Sequence, residues 1–284
     1  MTELRTVAEA IRDAAQRLGP TSDTARLDAE VLMAHALGVD RSRLLLMHMR
    51  NMAPASFAVL VERRAGHEPV AYITGAQEFY GLPFIVGPEV LIPRGDSETL
   101  VEAALAARPD ARSVLDCGTG SGALLLATLA NLSQAHGLGI DRSASALAVA
   151  RANAEALGLS DRVRMIAADW HAPGWSADFG RFDLILANPP YVEEQAALDT
   201  SVRGFEPAGA LFAGPEGLDD YRVLVPQLPG LLAPGGVALV EIGHAQAEAV
   251  SAIGLACGLS ASLHRDLAGR ARVIAFSGTN IRPA

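Results

Sequence analysis

Asn188-Pro189-Pro190-Tyr191 follows the apolar run Phe182-Asp183-Leu184-Ile185-Leu186-Ala187. Two successive prolines exclude helix and remove two N–H donors, so the backbone stays extended and its carbonyls can face a pocket. The Asn188 amide oxygen and the Pro189 carbonyl can then accept both hydrogens of a planar –NH₂ group and aim its nitrogen at an electrophile. Tyr191 offers that group a flat surface, and Pro190 shapes the same subsite. An amide or exocyclic amine is a poor nucleophile because its lone pair is conjugated. Held in line with an activated methyl it gains proximity, and two acceptors stabilise the positive charge that grows on nitrogen. Nothing in this arrangement serves hydride transfer.

A second group of residues reads as a nucleotide-type site. Ser113-Val114-Leu115-Asp116 runs into Cys117-Gly118-Thr119-Gly120-Ser121-Gly122, where glycines allow close approach of backbone to a ligand at the start of a helix. Asp141 ends the next strand, where a carboxylate can accept both ribose hydroxyls. Asp169 and Trp170 follow the third strand, where Asp can bond an adenine amine and indole can stack on the ring. Cys117 reads as a small buried filler. Taken alone, Gly118-x-Gly120-x-x-Ala123 also satisfies a relaxed dinucleotide fingerprint, so a dehydrogenase stays open on the loop. With Asn188 to Tyr191 after the fourth strand, the donor that fits loop, carboxylate and adenine pocket is S-adenosylmethionine, leaving as S-adenosylhomocysteine. The expected cofactor set is Gly118, Thr119, Gly120, Ser121, Gly122, Asp141, Asp169, Trp170 and Asn188.

The 284 residues are half apolar and 19% charged, enough to bury a core. All 23 basic residues are arginine, which excludes Schiff-base lysine chemistry and a phosphate-binding P-loop lysine. The net charge of −9 repels a polyanion, so long nucleic acid is not the expected partner. Two cysteines and no His-Glu-x-x-His give no disulfide framework and no metal site. No targeting or membrane-spanning run is apparent, and the expected setting is the cytoplasm, as a monomer.

The elements that must position these residues fall into three stretches. Residues 1–75 read as a helical bundle, with helices over Val7 to Leu18, Ala25 to Leu37, Arg41 to Arg50 and Pro54 to Ala65. There Arg41, Arg43, Arg50, Arg63 and Arg64 meet only Asp40 and Glu62 within their own stretch, which reads as a solvated face or a docking surface. Residues 76–93 read as a β-hairpin linker. From 94 to 284 strands alternate with helices, including a helix over 122–135, which predicts a parallel doubly wound sheet with ligands at the carboxyl ends of its strands.

Further motifs carry a resemblance over nearly the whole chain. They are Leu27-Asp28-Ala29-Glu30-Val31-Leu32, Glu68-Pro69-Val70-Ala71-Tyr72-Ile73-Thr74-Gly75, Phe79-Tyr80-Gly81-Leu82, Leu91-Ile92-Pro93-Arg94, Phe205-Glu206-Pro207 and Arg265-Asp266-Leu267-Ala268-Gly269-Arg270. With the glycine loop and Asn188 to Tyr191, the sequence resembles the bacterial and organellar release-factor glutamine methyltransferases. The resemblance implies a class I Rossmann-like S-adenosylmethionine-dependent methyltransferase sheet (an α/β fold) behind a small helical substrate-recognition domain. It implies methylation of the glutamine amide in the Gly-Gly-Gln motif of class I peptide chain release factors. By motif, Gly118 to Gly122, Asp141, Trp170 and Asn188 would bind the cofactor, and Asn188 to Tyr191 the glutamine, with Asn188, Pro189 and Tyr191 catalytic. Asn-Pro-Pro-Tyr is shared with adenine-amine methyltransferases of nucleic acid, and related enzymes methylate glutamine in a ribosomal protein. The chain departs from the family at Gly95, usually proline, and at Cys117, usually leucine. Arg94 and Glu98 stay outside the expected site, open to a reading as a structural ion pair.

Overall fold

The computed structural model describes residues 5–278, which divide into two compact units. One takes the chain up to Ala76 together with Leu198–Phe205; the other takes Gln77–Ala197 and the chain from Glu206 onward.

The first unit is helical. Thr6 and Glu9 cap the Val7–Leu18 helix reciprocally, satisfying two of the N–H groups that a helix start leaves free. Val7, Ile11 and Leu18 then meet Leu32 and Met33 of the Ala25–Leu37 helix and Leu44 in a dry core. The stretch expected as one helix over Arg41 to Arg50 differs: a single turn, Arg41–Arg43, opens into a wider π-type turn, Leu44–His48. Only Leu44 of that turn is buried. The chain must straighten after it because Val7 and Ala8 N–H groups donate to the carbonyls of Asn51 and Met49. The arginines also find acids from outside their own stretch. Arg64 bonds the buried Asp28 at 2.7 Å, Arg41 and Arg26 share the buried Glu30, and Arg63 pairs with Glu68. Arg43 and Arg50 remain exposed.

In the second unit β1 (Ala76–Phe79) and β2 (Leu82–Ile85) form a hairpin closed by Tyr80 and Gly81, both at positive φ as a two-residue hairpin turn requires. The main sheet contains β3 (Ser113–Cys117), β4 (His136–Asp141), β5 (Val163–Ala167), β6 (Phe182–Ala187), β7 (Leu232–Glu241), β8 (Leu259–Arg265) and β9 (Ala271–Gly278), in the order β5-β4-β3-β6-β7-β9-β8. Side chains alternate across it: Leu115, Cys117, Ile140, Ile185, Ala187, Ala238 and Val240 share a core with Tyr221, Leu224, Leu228 and Val250 from the helices beyond β6 and β7.

The expectation of a parallel sheet holds for β3 to β7 and fails at β9, which runs antiparallel to both of its neighbours, β7 and β8. Five residues, 266–270, join β8 to β9, too few for the crossover that parallel pairing needs. The helix expected over 122–135 ends at Asn131, because Leu132 to Ala135 turn the chain back into β4. Helix Asp219–Leu224 and the turns that follow it lie outside the elements that the sequence pattern predicts.

Register decides where the chemistry collects. Cys117 pairs with Ile140 on one side and Ala187 on the other, Asp141 with Ala167, and Ala187 with Val240. The residues that leave these strands, Gly118, Asp141, Ala168, Asn188 and Glu241, therefore stand along one edge. The order of the strands reverses beside β3, at the switch point where open α/β sheets bind ligands.

Asp116 lies under that edge, 1% exposed, with Oδ2 accepting the Thr119 hydroxyl at 2.6 Å and Oδ1 without a hydrogen-bond partner. Burial, with the nearby Asp141 charge, pushes its carboxyl up to about 7 against the lowering bond from Thr119. A carboxyl raised on folding contributes stability that is full below its unfolded pKa and is lost as pH rises through the folded value. Asp116→Asn keeps an acceptor for Thr119 and removes the charge. Its melting temperature relative to wild type is expected to be higher at pH 8 than at pH 4.5, by calorimetry of the ligand-free protein. An equal difference at both pH values would contradict the raised carboxyl.

Candidate active site

A cavity of about 210 Å³ opens at this carboxyl edge. Of the residues expected from sequence, Gly118, Thr119, Gly120, Ser121, Asp141, Asp169, Trp170, Asn188 and Pro190 line it. Gly122, Pro189 and Tyr191 are not on its wall. Gly122 caps the Ala123–Asn131 helix, Pro189 is buried, and Tyr191 is packed against the sheet core.

The glycine loop is shaped by hydrogen bonds to its neighbours. Gly118 and Thr119 N–H groups both donate to the Ile140 carbonyl, at 2.9 and 2.8 Å. The Gly120 N–H donates to Asp141 Oδ2 at 3.0 Å, and Ser143 N–H to Oδ1 at 2.9 Å, which sets the Asp141 carboxylate on the cavity wall. Gly118 has φ of 75°, and a Cβ there would lie 3.0 Å from the Trp170 ring. Gly120, at φ of 54°, has open space in the same test. Backbone is thus bare to a ligand where a side chain would stand. The Ser121 carbonyl accepts from Nδ2 of Asn153, a fully buried side chain that also exchanges bonds with Ile85 of the hairpin. A nucleoside with an aliphatic sulfonium arm fits these residues: bare backbone for the arm, a carboxylate for the ribose and the Trp170 indole for the base.

Trp170 is fixed by its Nε1–H, which donates to Asp220 at 3.1 Å. Asp169 accepts from the His171 backbone N–H at 2.9 Å, and this bond together with the His171 ring holds its carboxyl below the usual range despite some burial. Both His171 contacts fall on Oδ1, so Oδ2 of this cavity-lining residue stays available to a base amine.

Residues that sequence reasoning missed stand behind the Asn188 turn. Glu241 ends β7 and is 1% exposed. Burial pushes its carboxyl up to about 7, opposed by Ser97, Arg272 and the Asn188 side chain, while Asp96 adds to the rise. Arg272 bonds Asp96 at 2.8 Å and Asp266 at 3.3 Å. The Tyr191 phenol, pushed up to about 12 chiefly by burial, faces the charges of Glu241, Arg272, Arg94 and Asp96. Its carbonyl accepts from Gln246, so the residue clamps the turn from behind. The signal that could have found Glu241 is its position: like Asp116 and Asp141, it is an acid at the carboxyl end of an apolar strand.

The reading of Arg94 and Glu98 as an ion pair is corrected. Arg94 pairs with the buried Glu206, whose second oxygen accepts from the Ile92 N–H at 3.3 Å, whereas Glu98 accepts from the Tyr80 N–H at 2.9 Å. Glu206 belongs to the Phe205-Glu206-Pro207 motif, and the pair fastens the segment carrying Pro207, Gly209 and Ala210, which completes the cavity wall.

Comparison with known proteins separates the readings that the glycine loop left open. Residues 9–75 match the family described as PrmC N-terminal domain, and residues 109–253 match a methyltransferase domain. The release factor glutamine methyltransferase of Cereibacter sphaeroides is 44% identical over 94% of this chain and 96% of its own length. That of Moorella thermoacetica is 42% identical over 94% and 96%. Among solved structures, the catalytic domain of hMettl16 in complex with an RNA hairpin of the MAT2A 3′UTR superposes with a TM-score of 0.56 at 13% identity, covering 83% of this chain and 85% of that one. A methyltransferase from Pyrococcus furiosus gives 0.51 at 19% identity, covering 76% and 97%. These two likenesses are of fold alone. With loop, carboxylate and Asn-Pro-Pro-Tyr turn on one sheet edge and relatives more than 40% identical over 94% of its length, this chain belongs to the release factor glutamine methyltransferase family.

Proposed function

We propose that this protein transfers a methyl group from S-adenosylmethionine to the side-chain amide nitrogen of the glutamine in the Gly-Gly-Gln motif of class I peptide chain release factors. The observation that carries the reading is the placement of Asn188 on the same cavity wall as the glycine loop and Asp141, in a chain this similar to enzymes of that name.

When bound, S-adenosylmethionine supplies an electrophilic methyl group on a sulfonium. The protein's part is to hold and orient. Gly118 and Gly120 leave backbone bare for the donor's arm, Asp141 accepts from its ribose, and Asp169 and Trp170 hold its base. Asn188 Oδ1 and the Pro189 carbonyl accept the two amide hydrogens of the incoming glutamine, which points the nitrogen along the line of attack. As nitrogen gains positive charge, both acceptors strengthen; they cost no reorganisation because prolines and Tyr191 fix the turn. One of the two amide hydrogens then leaves to solvent as a proton, restoring the neutral amide. Among the described residues no group of three or more His, Cys, Asp or Glu side chains is placed to hold a metal ion.

We also propose that the helical unit recognises the release factor as a protein. Leu46 and Met47 on the Leu44–His48 turn are 85% and 67% exposed, with Arg43 and Arg50 close in sequence, an apolar and cationic combination suited to an acidic protein partner. The net charge of −9 speaks against long nucleic acid in that place. No described helix is long and apolar enough to cross a membrane, and we place the enzyme in the cytoplasm with its substrate.

Mass spectrometry of a release factor incubated with the protein and S-adenosylmethionine is expected to find one added methyl on the Gly-Gly-Gln glutamine. Asn188→Ala removes one of two acceptors and is expected to lower turnover by roughly 10² to 10³, about 2.7–4 kcal/mol, with much less change in cofactor affinity by calorimetry. Unmodified glutamine with wild-type protein, or full turnover in Asn188→Ala, would contradict the reading. Replacing Leu46 and Met47 together by Asp should raise KM for intact release factor on the order of tenfold; an unchanged KM would give the helical unit another role.

A further inference from the structure

Asn188 is useful to the proposed reaction only if its oxygen, and not its –NH₂, faces the acceptor amide. The two ends of a carboxamide have nearly the same shape, so packing cannot choose between them; the choice rests on what stands behind. Behind Asn188 stands Glu241. The pairing of Ala187 with Val240 puts the two residues side by side at the ends of β6 and β7. The Asn188 amide and Ser97 hydroxyl both approach the Glu241 carboxylate and favour its charged form. Asn188 and Ser97 line the cavity, whereas Glu241 does not.

Keeping such a charge there is expensive. Glu241 Oε2 and Arg272 Nε are buried without hydrogen-bond partners, an arrangement that an apolar filling of the same space would avoid. Ser97, Arg272 and Asn188 oppose that cost without cancelling it, and the ionised form is the one that orients Asn188. Arg272 faces it from β9, held by Asp266 of the preceding turn and by Asp96. Tyr221 donates its hydroxyl to the Glu241 backbone carbonyl at 2.9 Å, and the Tyr191 phenol lies within reach of the charges of Glu241, Arg272 and Arg94. An ionised carboxylate only accepts hydrogen bonds, so it can receive Asn188 Nδ2–H and cannot receive Oδ1.

Building on the reading of Asn188 above, we infer that Glu241 is the positioning residue that fixes the Asn188 amide with its oxygen toward the acceptor nitrogen, and that Arg272, Asp266 and Asp96 form the buried frame that keeps Glu241 in place. The Arg265 to Arg270 motif serves the same frame, because its turn brings Asp266 against Arg272. Protonated Glu241 could donate to Oδ1 and permit the turned amide. With its carboxyl pushed up to about 7, the step is expected to weaken below neutral pH.

The test is a double-mutant cycle between Glu241 and Asn188 on an intact release factor. Glu241→Leu is expected to lower kcat by on the order of 10- to 100-fold in the wild-type background and to have no further effect in Asn188→Ala. Glu241→Gln, which retains an acceptor oxygen, is expected to fall between wild type and Glu241→Leu and to lose the acid limb of the pH profile. Independent of turnover, the Asn188 side-chain amide protons, identified by their absence in Asn188→Ala, should move upfield in the nuclear magnetic resonance spectrum of ligand-free Glu241→Gln. If Glu241→Leu does not fold, the Gln variant and the amide resonances decide. Equal losses from Glu241→Leu with and without Asn188, or unmoved resonances, would overturn the inference. Full turnover in Asn188→Ala would instead overturn the reading on which it rests.

Discussion

Parallel pairing is the constraint on which the rest depends. Strands β3 to β7 run the same way, so their last residues meet on one edge, and the register Cys117–Ile140, Cys117–Ala187 and Ala187–Val240 leaves the next residues side by side. A slip of one residue would turn Asp116 from under the glycine loop to the opposite face and carry Asn188 away from Glu241. The buried alternation of Leu115 and Cys117 against Val114 and Asp116 makes such a slip costly, because each set has its own packed layer.

Glycine in β4 serves the same end. At Gly137 a Cβ would stand 2.8 Å from Leu125 and Leu129, so the Ala123–Asn131 helix lies close enough to the sheet for its first turn to border the cavity. Thr119 and Asp141 then tie the intervening loop down, one to Asp116 below and one to the Gly120 N–H beside it. The result is a ligand site whose polar groups are oriented before anything binds, which is how such sites lower the cost of ordering.

Much of this was legible in the sequence because local patterns carry it. Glycines at 118, 120 and 122, an acid ending the next strand and two prolines after Asn188 each force a backbone geometry without help from distant residues. The antiparallel end of the sheet followed from the short 266–270 connection, a cue that strand and helix alternation masks. What stayed hidden depends on partners far along the chain. Arg94 meets Glu206, Asn153 meets Ile85 and Ser121, and Glu241 meets Ser97, Asn188 and Arg272. The arginine-rich stretch misled for the same reason, since counting acids nearby overlooked Asp28, Glu30 and Glu68. Tyr191 is the instructive case among the site residues: its type suggested a platform in the pocket, and its place is behind the wall, holding the turn.

The proposed reaction turns on the orientation of one amide against another. A crystal structure of the protein with S-adenosylhomocysteine and a release-factor fragment carrying Gly-Gly-Gln measures it directly. The glutamine amide nitrogen is expected at hydrogen-bond distance, roughly 2.7–3.2 Å, from both Asn188 Oδ1 and the Pro189 carbonyl, with Asn188 Nδ2 turned to Glu241. A glutamine amide bound elsewhere in the cavity, or facing Asn188 Nδ2, would contradict the proposed chemistry.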